Sequence, residues 1–278
     1  MSLCVGLCCK NSAQGLPAVF KNLDKMRVLF PEMTVVFCYD ISSDPTLALL
    51  EAYIKIHTSA TLIPNHYPPT AQRTTNIANA RNSLLTHMRH HSTDFFAMMD
   101  ANEYACIGEM ETSVLAEVLL PENIEKWDAV SFDREAGYYD HWALSFENFI
   151  YSFFHCEGWQ KVVENLRREF PLLLEQARAA QEFLPVYSAY NGFALYKTAK
   201  FLDCQYSSTI QLNLFPIAEL EKQMRFNNCG LAQNLQNDCE HRRFHLEAIQ
   251  KHQSKIRIYP KSLFKKIEPR IPNLRGPA

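Results

Sequence analysis

Apolar and polar positions alternate between two rhythms along the first hundred residues. Leu3 to Cys9 is an unbroken apolar run, the pattern of a strand buried on both faces. Lys10-Asn11-Ser12 ends it in a polar loop. Leu16, Val19, Phe20, Leu23, Met26, Leu29 and Phe30 then recur at helical spacing, with Pro17 in the first turn and Pro31 as a stop. Thr34 to Cys38 predicts a second buried strand ending at Tyr39-Asp40, and Asp44-Pro45-Thr46 marks the start of a helix over Leu47 to Ile56. Ala60 to Ile63 predicts a third strand, broken afterwards by Pro64, Pro68 and Pro69. A helix over Ile77 to Met88, capped by Thr74 or Thr75, leads to a fourth strand over Phe95 to Met99. Strands alternating with helices argue for a doubly wound, mostly parallel α/β sheet. Ligands of such sheets bind beyond the carboxyl ends of the strands. Lys10-Asn11, Asp40 and Asp100 to Asn102 all stand at such ends and should meet in one crevice.

The second half is less regular. Val114 to Leu120 reads as a short helix and Ala129 to Phe132 as a strand. Glu157 to Gln181 is a long helix, rich in Glu and Arg, read as a solvated surface element. Val186 to Leu195 carries Asn191-Gly192, which marks a tight turn or a close backbone approach. Leu220 to Asn237 is polar and partly helical. Asp238-Cys239-Glu240-His241 opens a helix-like run over Arg242 to His252, Lys255 to Lys261 reads as a last strand, and the tail after it is extended. No repeat or linker splits the chain.

Composition changes this picture little. Of 278 residues, 47% are hydrophobic and 21% charged, enough apolar material for one sizeable core. A net charge of -2 argues against a nucleic-acid partner. The nine cysteines are odd in number, lack a CxxC pair, and place Cys4, Cys8 and Cys38 in apolar runs, so they are expected reduced and intracellular. The opening residues lack a basic region before a long apolar stretch, and no segment holds 18 uninterrupted apolar residues. The expectation is a soluble, cytoplasmic protein without a membrane span.

Two stretches carry candidate chemistry. Asp100-Ala101-Asn102-Glu103 sets hard oxygen atoms at the exit of a rigid strand. That suits Mg²⁺ or Mn²⁺ with a diphosphate completing the shell, although a strand followed by a polar turn gives the same pattern. Asp133 to Phe146 mixes aromatic rings with carboxylates, as sugar recognition does, and equally as a core aromatic cluster beside a turn does. His241 and His245, four apart, share a helix face and form either a metal pair or part of a polar helix start.

These blocks together resemble a known family. Cys4-Val-Gly-Leu-Cys-Cys-Lys10-Asn11 and Val35-Val-Phe-Cys-Tyr39-Asp40-Ile-Ser-Ser-Asp44-Pro-Thr46 resemble the opening of GT-A glycosyltransferases. Arg73-Thr-Thr-Asn-Ile-Ala-Asn-Ala-Arg81-Asn82, Tyr139-Asp140-His-Trp142-Ala-Leu, Asn191-Gly192, Asp238-Cys-Glu240-His241-x-x-Phe244-His245 and Ile256-Arg-Ile-Tyr-Pro-Lys261 resemble later blocks. The similarity runs in order through nearly the whole chain. It is to the group holding fungal capsule-associated mannosyltransferases and the glycosyltransferases of chloroviruses. Two positions depart from the pattern: the family's DxD is Asp100-Ala101-Asn102 here, and its YDxWxLR block ends in Ser145.

The resemblance implies a GT-A-like, Rossmann-type, mostly parallel sheet in a single domain over residues 1–265. Residues 1–105 would bind the nucleotide sugar, 106–265 the acceptor, and 266–278 would form the extended tail. It implies transfer of a sugar from a nucleoside-diphosphate donor to a hydroxyl of a glycan acceptor, with inversion, in viral or surface glycan synthesis. UDP-sugars are favoured, UDP-xylose or UDP-rhamnose first, in the host cytoplasm if the protein is viral. Mn²⁺ or Mg²⁺ would be held by Asp100 and Asn102, with His241 and Glu103 as further candidates. Lys10, Asp40, Arg73, Arg81, Asp100, Ala101 and Asn102 would bind the donor. Glu240 or Asp238, then Asp140, would be the general base. Tyr139, Trp142, Asn191 and Gly192 would contact sugar. The competing readings are a non-catalytic nucleotide-sugar or carbohydrate-binding module of the same fold, and a nucleotidyltransferase. The second would want a glycine-rich phosphate loop, and residues 10–15 hold one Gly.

Overall fold

The computed structural model describes residues 1–102, 108–135, 137–232 and 237–265. Glu103 and the tail over 266–278, both invoked above, lie outside the described residues. The strands are β1 (Ser2–Cys9), β2 (Glu32–Tyr39), β3 (Ala60–Pro64), β4 (Phe95–Asp100), β5 (Glu109–Met110), β6 (Ala129–Asp133), β7 (Leu184–Val186), β8 (Phe193–Lys197), β9 (Ile256–Ser262) and β10 (Phe264–Lys265). The helices are α1 (Leu16–Arg27), α2 (Thr46–Ile56), α3 (Arg73–Met88), α4 (Thr112–Val118), α5 (Pro121–Ile124), α6 (Trp159–Ala180), α7 (Ile217–Asn227) and α8 (Glu240–His252).

Eight strands form one sheet in the order β3-β2-β1-β4-β8-β6-β9-β7, and β5 pairs β10 beside it. β3, β2, β1 and β4 run parallel, as do β6 and β9. β8 is antiparallel to both β4 and β6, and β7 to β9. Successive crossovers carry the chain from β1 outward to β3 and then back to the far side of β1. The strand order therefore reverses between β1 and β4, which is where an open α/β sheet makes its crevice.

The central strands of the sheet are buried on both faces, as their apolar runs require, while the edge strand β3 is partly exposed. Leu3, Val5, Leu7 and Cys9 point to a core shared with α1 and α2, through Leu16, Val19, Leu23 and Leu50. Cys4 points to the opposite core, shared with α3, α6 and α8 through Leu84, Leu166 and Phe244. Gly6 faces side chains of α3 and β4: an added Cβ would meet Met88 Cε at 2.6 Å, Leu84 Cδ1 at 3.2 Å and Met98 Sδ at 3.3 Å. Gly6→Val is expected to lower stability by about 2–3 kcal/mol through overpacking. Urea denaturation reads this, and a midpoint equal to the parent's would show that α3 can move away.

Several expectations are corrected. α6 is not a solvated helix: Val162, Val163, Leu166, Phe170, Leu174 and Ala177 bury one face in the core, and its charges occupy the other. Neither Thr74 nor Thr75 caps α3, which begins at Arg73 after an extended Gln72. Residues 184–197 are two strands, β7 and β8, that lie apart in the sheet. The cysteines are unpaired wherever they are described, with Cys4, Cys9 and Cys38 buried as small hydrophobes. Among the described residues, no helix is long and apolar enough to cross a membrane.

Candidate active site

The expected strand ends meet. A cavity of about 790 Å³ opens at the β1/β4 switch. β1 contributes Cys8, Cys9 and Lys10; β2 contributes Asp40; and β4 contributes Asp100, Ala101 and Asn102. Arg73 and Arg81 enter from α3, Tyr139, Asp140 and Trp142 from the loop after β6, and Glu240 and His241 from the start of α8.

The rim is tied down locally. Ser12 N donates to Thr46 Oγ1 at 2.7 Å and Ala13 N to Asp44 Oδ2 at 3.0 Å, which fastens the loop after β1 to the loop after β2. The Thr46 hydroxyl and the backbone N–H groups of Ala13 and Thr46 hold the Asp44 carboxyl below its ordinary value. Asp40 Oδ1 accepts from Asn65 Nδ2 at 3.0 Å, which fixes its carboxylate at the cavity edge. Ala101 packs into the core on the α1–α2 side while Asp100 and Asn102 stay more open. This is the strand-type alternation of sides.

Arg81 is the centre of the site. It is 6% exposed. One amine donates to Asp100 Oδ1 at 3.1 Å and another to Glu240 Oε1. Its guanidinium lies over the Tyr190 ring at 4.9 Å and the Tyr206 ring at 5.6 Å. Burial alone would lower its pKa; Tyr190, Asp100 and Cys8 outweigh that and keep it charged. Asp100 gathers further donors, the Tyr190 hydroxyl on Oδ1 at 2.9 Å and the Tyr139 hydroxyl on Oδ2 at 3.3 Å.

The three candidate bases are placed differently. Asp140 lines the cavity and accepts from Ala143 N at 3.1 Å. Withdrawal from water pushes its carboxyl up to about 6, and the neighbouring Asp100 charge adds to the rise. Glu240 also lines the cavity, but its carboxylate is engaged by Arg81. Asp238 is not part of the lining. Both its oxygens accept from Arg242 Nε, at 3.1 and 3.0 Å. Arg242 is fully buried and also donates to Leu144 O at 3.1 Å, to Ser145 Oγ and to Trp142 O. Asp238 therefore fixes the 142–145 segment through Arg242. The same contact accounts for Ser145, since an arginine there would set a second guanidinium against Arg242.

His241 and His245 stack with ring centroids 5.8 Å apart but differ in their hydrogen bonding. His245 offers one ring nitrogen to Ser188 Oγ at 2.9 Å and the other to the Tyr196 hydroxyl at 3.2 Å, and burial pushes its pKa down to about 3. His241 is 1% exposed and stacks on Tyr190 with ring centroids 3.8 Å apart. Neither of its ring nitrogens makes a hydrogen bond among the described residues, and Nε2 lies 3.9 Å from Glu240 Oε1. Burial, aided by Arg81, holds it neutral, with a lone pair to offer.

Asn191 and Gly192 stand behind the wall rather than in it. Asn191 Nδ2 donates to Phe132 O at 3.0 Å while its Oδ1 accepts from Tyr139 N at 3.2 Å. Gly192, at φ 87°, turns its carbonyl to accept from Asp100 N at 2.9 Å. They position Tyr139 and Asp100. Tyr190, which sequence reasoning passed over, touches Asp100, Arg81 and His241. Its one sequence signal is its place directly before the Asn191-Gly192 turn. A second group of possible metal ligands, Asp203, Cys204 and His252, lies at the other end of α8, where Lys251 already pairs with Asp203.

No protein-family model matches the chain, and no curated protein matches it. Solved structures have a similar layout. S. aureus TarS 1-349 superposes with a TM-score of 0.48 at 13% identity, over 96% of this chain and 60% of that one. The mannosyltransferase PcManGT from Pyrobaculum calidifontis, in complex with GDP-Man and Mn2+, gives 0.43 at 15% identity, over 74% of this chain and 47% of that one. Mannosyl-3-phosphoglycerate synthase from Rubrobacter xylanophilus gives 0.42 at 13%, over 72% of this chain and 55% of that one. The chain thus spans less than two thirds of the length of each of these three.

Proposed function

We propose that the chain is a glycosyltransferase that moves a sugar from a nucleoside-diphosphate donor to a hydroxyl of a glycan acceptor. The supporting observation is the convergence of Lys10, Asp40 and Asp100, from the ends of three parallel strands, on one cavity with the buried cation of Arg81. The ordered sequence blocks support the same reading.

The residues present fit a divalent cation. Asp100 brings a carboxylate, Asn102 an amide, and His241 two buried ring nitrogens that make no hydrogen bond among the described residues. Mn²⁺ or Mg²⁺ held there would neutralise the leaving diphosphate as a Lewis acid. Lys10 and Arg73, exposed at the mouth, reach phosphate oxygens, and Asp40 accepts from the nucleoside. Glu240 keeps Arg81 in place. Asp140 is the general base favoured by its position in the lining and by a carboxyl near 6, close to working pH. A single displacement with inversion is the expected course, read from the anomeric configuration of the product.

The test is release of nucleoside diphosphate from UDP-, GDP- and dTDP-sugars with and without Mn²⁺, starting with UDP-xylose and UDP-rhamnose. Metal-dependent release is expected. Stabilisation by a donor without release would instead identify a binding module.

Asp140 gives a pH prediction. Its folded carboxyl is raised to about 6, so activity should climb with pH through that value as the base loses its proton. Asp140→Asn should remove that limb and lower turnover by about 10²–10⁴. The sign for stability is opposite. A raised carboxyl binds its proton more tightly when folded, so its contribution to stability is lost as pH rises from the unfolded value to about 6. Asp140→Asn should therefore stabilise the fold at neutral pH by about 1 kcal/mol, after discounting for solvent access. An unchanged pH profile in the variant would remove Asp140 from the role.

A further inference from the structure

The cavity wall continues outward as a row of aromatic rings. Trp142 lines the cavity. The Phe154 ring stands 6.0 Å from it, edge to face, and Trp159 follows 5.2 Å beyond Phe154, tilted by 45°. Phe154 is 47% exposed and Trp159 39%. Two large neighbouring rings left open beside a cavity are surface that packing does not require.

The row is held firmly from below. Buried Phe153 packs against Phe154 at 4.3 Å and Trp159 at 6.4 Å. His155 shares a hydrogen bond with Asn237 O at 2.7 Å, and Glu157 N donates to Gly230 O at 2.9 Å. Gly158, at φ 63°, turns the chain so that Trp159 starts α6. An added Cβ would meet nothing there, so the glycine serves the backbone angle. At the inner end, Trp142 lines the cavity while its Nε1 is buried without an acceptor among the described residues.

We propose that Trp142, Phe154 and Trp159 form a track for an acceptor glycan at least three sugar rings long. The reacting ring lies beside Trp142 and Asp140, and the outer rings stack on Phe154 and Trp159. The inference rests on the reading of the cavity as a sugar-transfer site. A pyranose ring offers an apolar C–H face to each aromatic face and turns its hydroxyls to water. The charges along this segment, Glu157, Lys161, Glu164, Arg167, Arg168 and Glu169, balance at three acidic and three basic. They lack the basic cluster that an anionic lipid surface attracts, which favours a neutral glycan over a membrane.

The test is fluorine NMR of fluorotryptophan-labelled protein, which has three tryptophans, titrated with xylo-oligosaccharides and manno-oligosaccharides of increasing length. Trp159→Phe assigns the outer signal. In at least one series, affinity should rise about tenfold from one sugar unit to three, with shifts at Trp142 and Trp159 and none at buried Trp127. Trp159→Ala and Phe154→Ala should each weaken trisaccharide binding by about three- to tenfold while monosaccharide binding stays within about twofold. Thermal midpoints confirm that the variants fold. The track is overturned by affinity independent of length, by no sugar moving the Trp159 signal, or by trisaccharide binding unchanged in both variants. Sedimentation of the parent, but not of Trp159→Ala, with phosphatidylcholine–phosphatidylserine vesicles would overturn it in favour of a membrane contact. Nucleoside-diphosphate release, measured alongside, separates the two levels. Turnover without length dependence removes the track alone, and no donor binding or turnover removes the reading beneath it.

Discussion

Asp100→Ala is expected to reduce nucleoside-diphosphate release by at least about 10³-fold and to abolish its dependence on Mn²⁺. Asp100 is the one carboxylate at the end of β4 in the described cavity lining, and a guanidinium and two phenol hydroxyls converge on it, from Arg81, Tyr190 and Tyr139. Its loss would remove the proposed anionic ligand of the metal and leave the neutral Asn102 and His241. The fold should survive, because Arg81 keeps Glu240 as a counter-charge and Tyr190 as a ring partner. A stability loss of about 1–2 kcal/mol is expected for the missing hydrogen bonds. Asp100→Asn separates the two effects. It keeps an acceptor for Arg81 but not the charge for the metal, so stability should recover more than turnover. Parent-like release in Asp100→Ala would show that the diphosphate is neutralised elsewhere, and the cavity would lose its proposed role.

Most of the first half of the chain is readable because β1, β2 and β4 are buried on both faces. Such strands appear as unbroken apolar runs, and the polar residue ending each run, Lys10, Asp40 or Asp100, marks the side where the cavity opens. The second half follows no such rule. The face of α6 that enters the core is spread among Glu and Arg residues, so charge density concealed a clear apolar stripe. Asn191-Gly192 was marked as a close approach, but its place behind the site depends on β8 inserting beside β4, a pairing across about a hundred residues. The bridge from Arg81 to Glu240 spans 159 positions, and no local pattern announces it. Asp238 and Glu240 look equivalent in sequence. What separates them is that Arg242, one helical turn after Asp238, claims that carboxylate away from the cavity.

Arg81→Met should cost about 3–5 kcal/mol of stability as well as most of the activity. The bland comparison is a surface ion pair, worth about 1 kcal/mol or less. Arg81 differs in being 6% exposed while serving two carboxylates, one of them, Glu240, 4% exposed. Methionine fills much of the volume but leaves Glu240 buried without a counter-charge, the situation in which breaking a buried pair is most harmful. An unpaired buried carboxylate takes up a proton more readily when folded, so the variant should lose more stability at about pH 8 than at about pH 5. Urea denaturation at both values measures the difference. Adding Glu240→Gln to Arg81→Met should recover about half of the loss, because the stranded charge is gone and the amide can still bond. Arg81→Lys should fall between, since one ammonium cannot hold Asp100 and Glu240 in the fixed geometry of a guanidinium. If Arg81→Met matched the parent at about pH 8, the bridge would contribute nothing to the fold. The coupling of β4 to α8, on which the placement of Asp100 depends, would then have to come from the Tyr190–His241 stack instead.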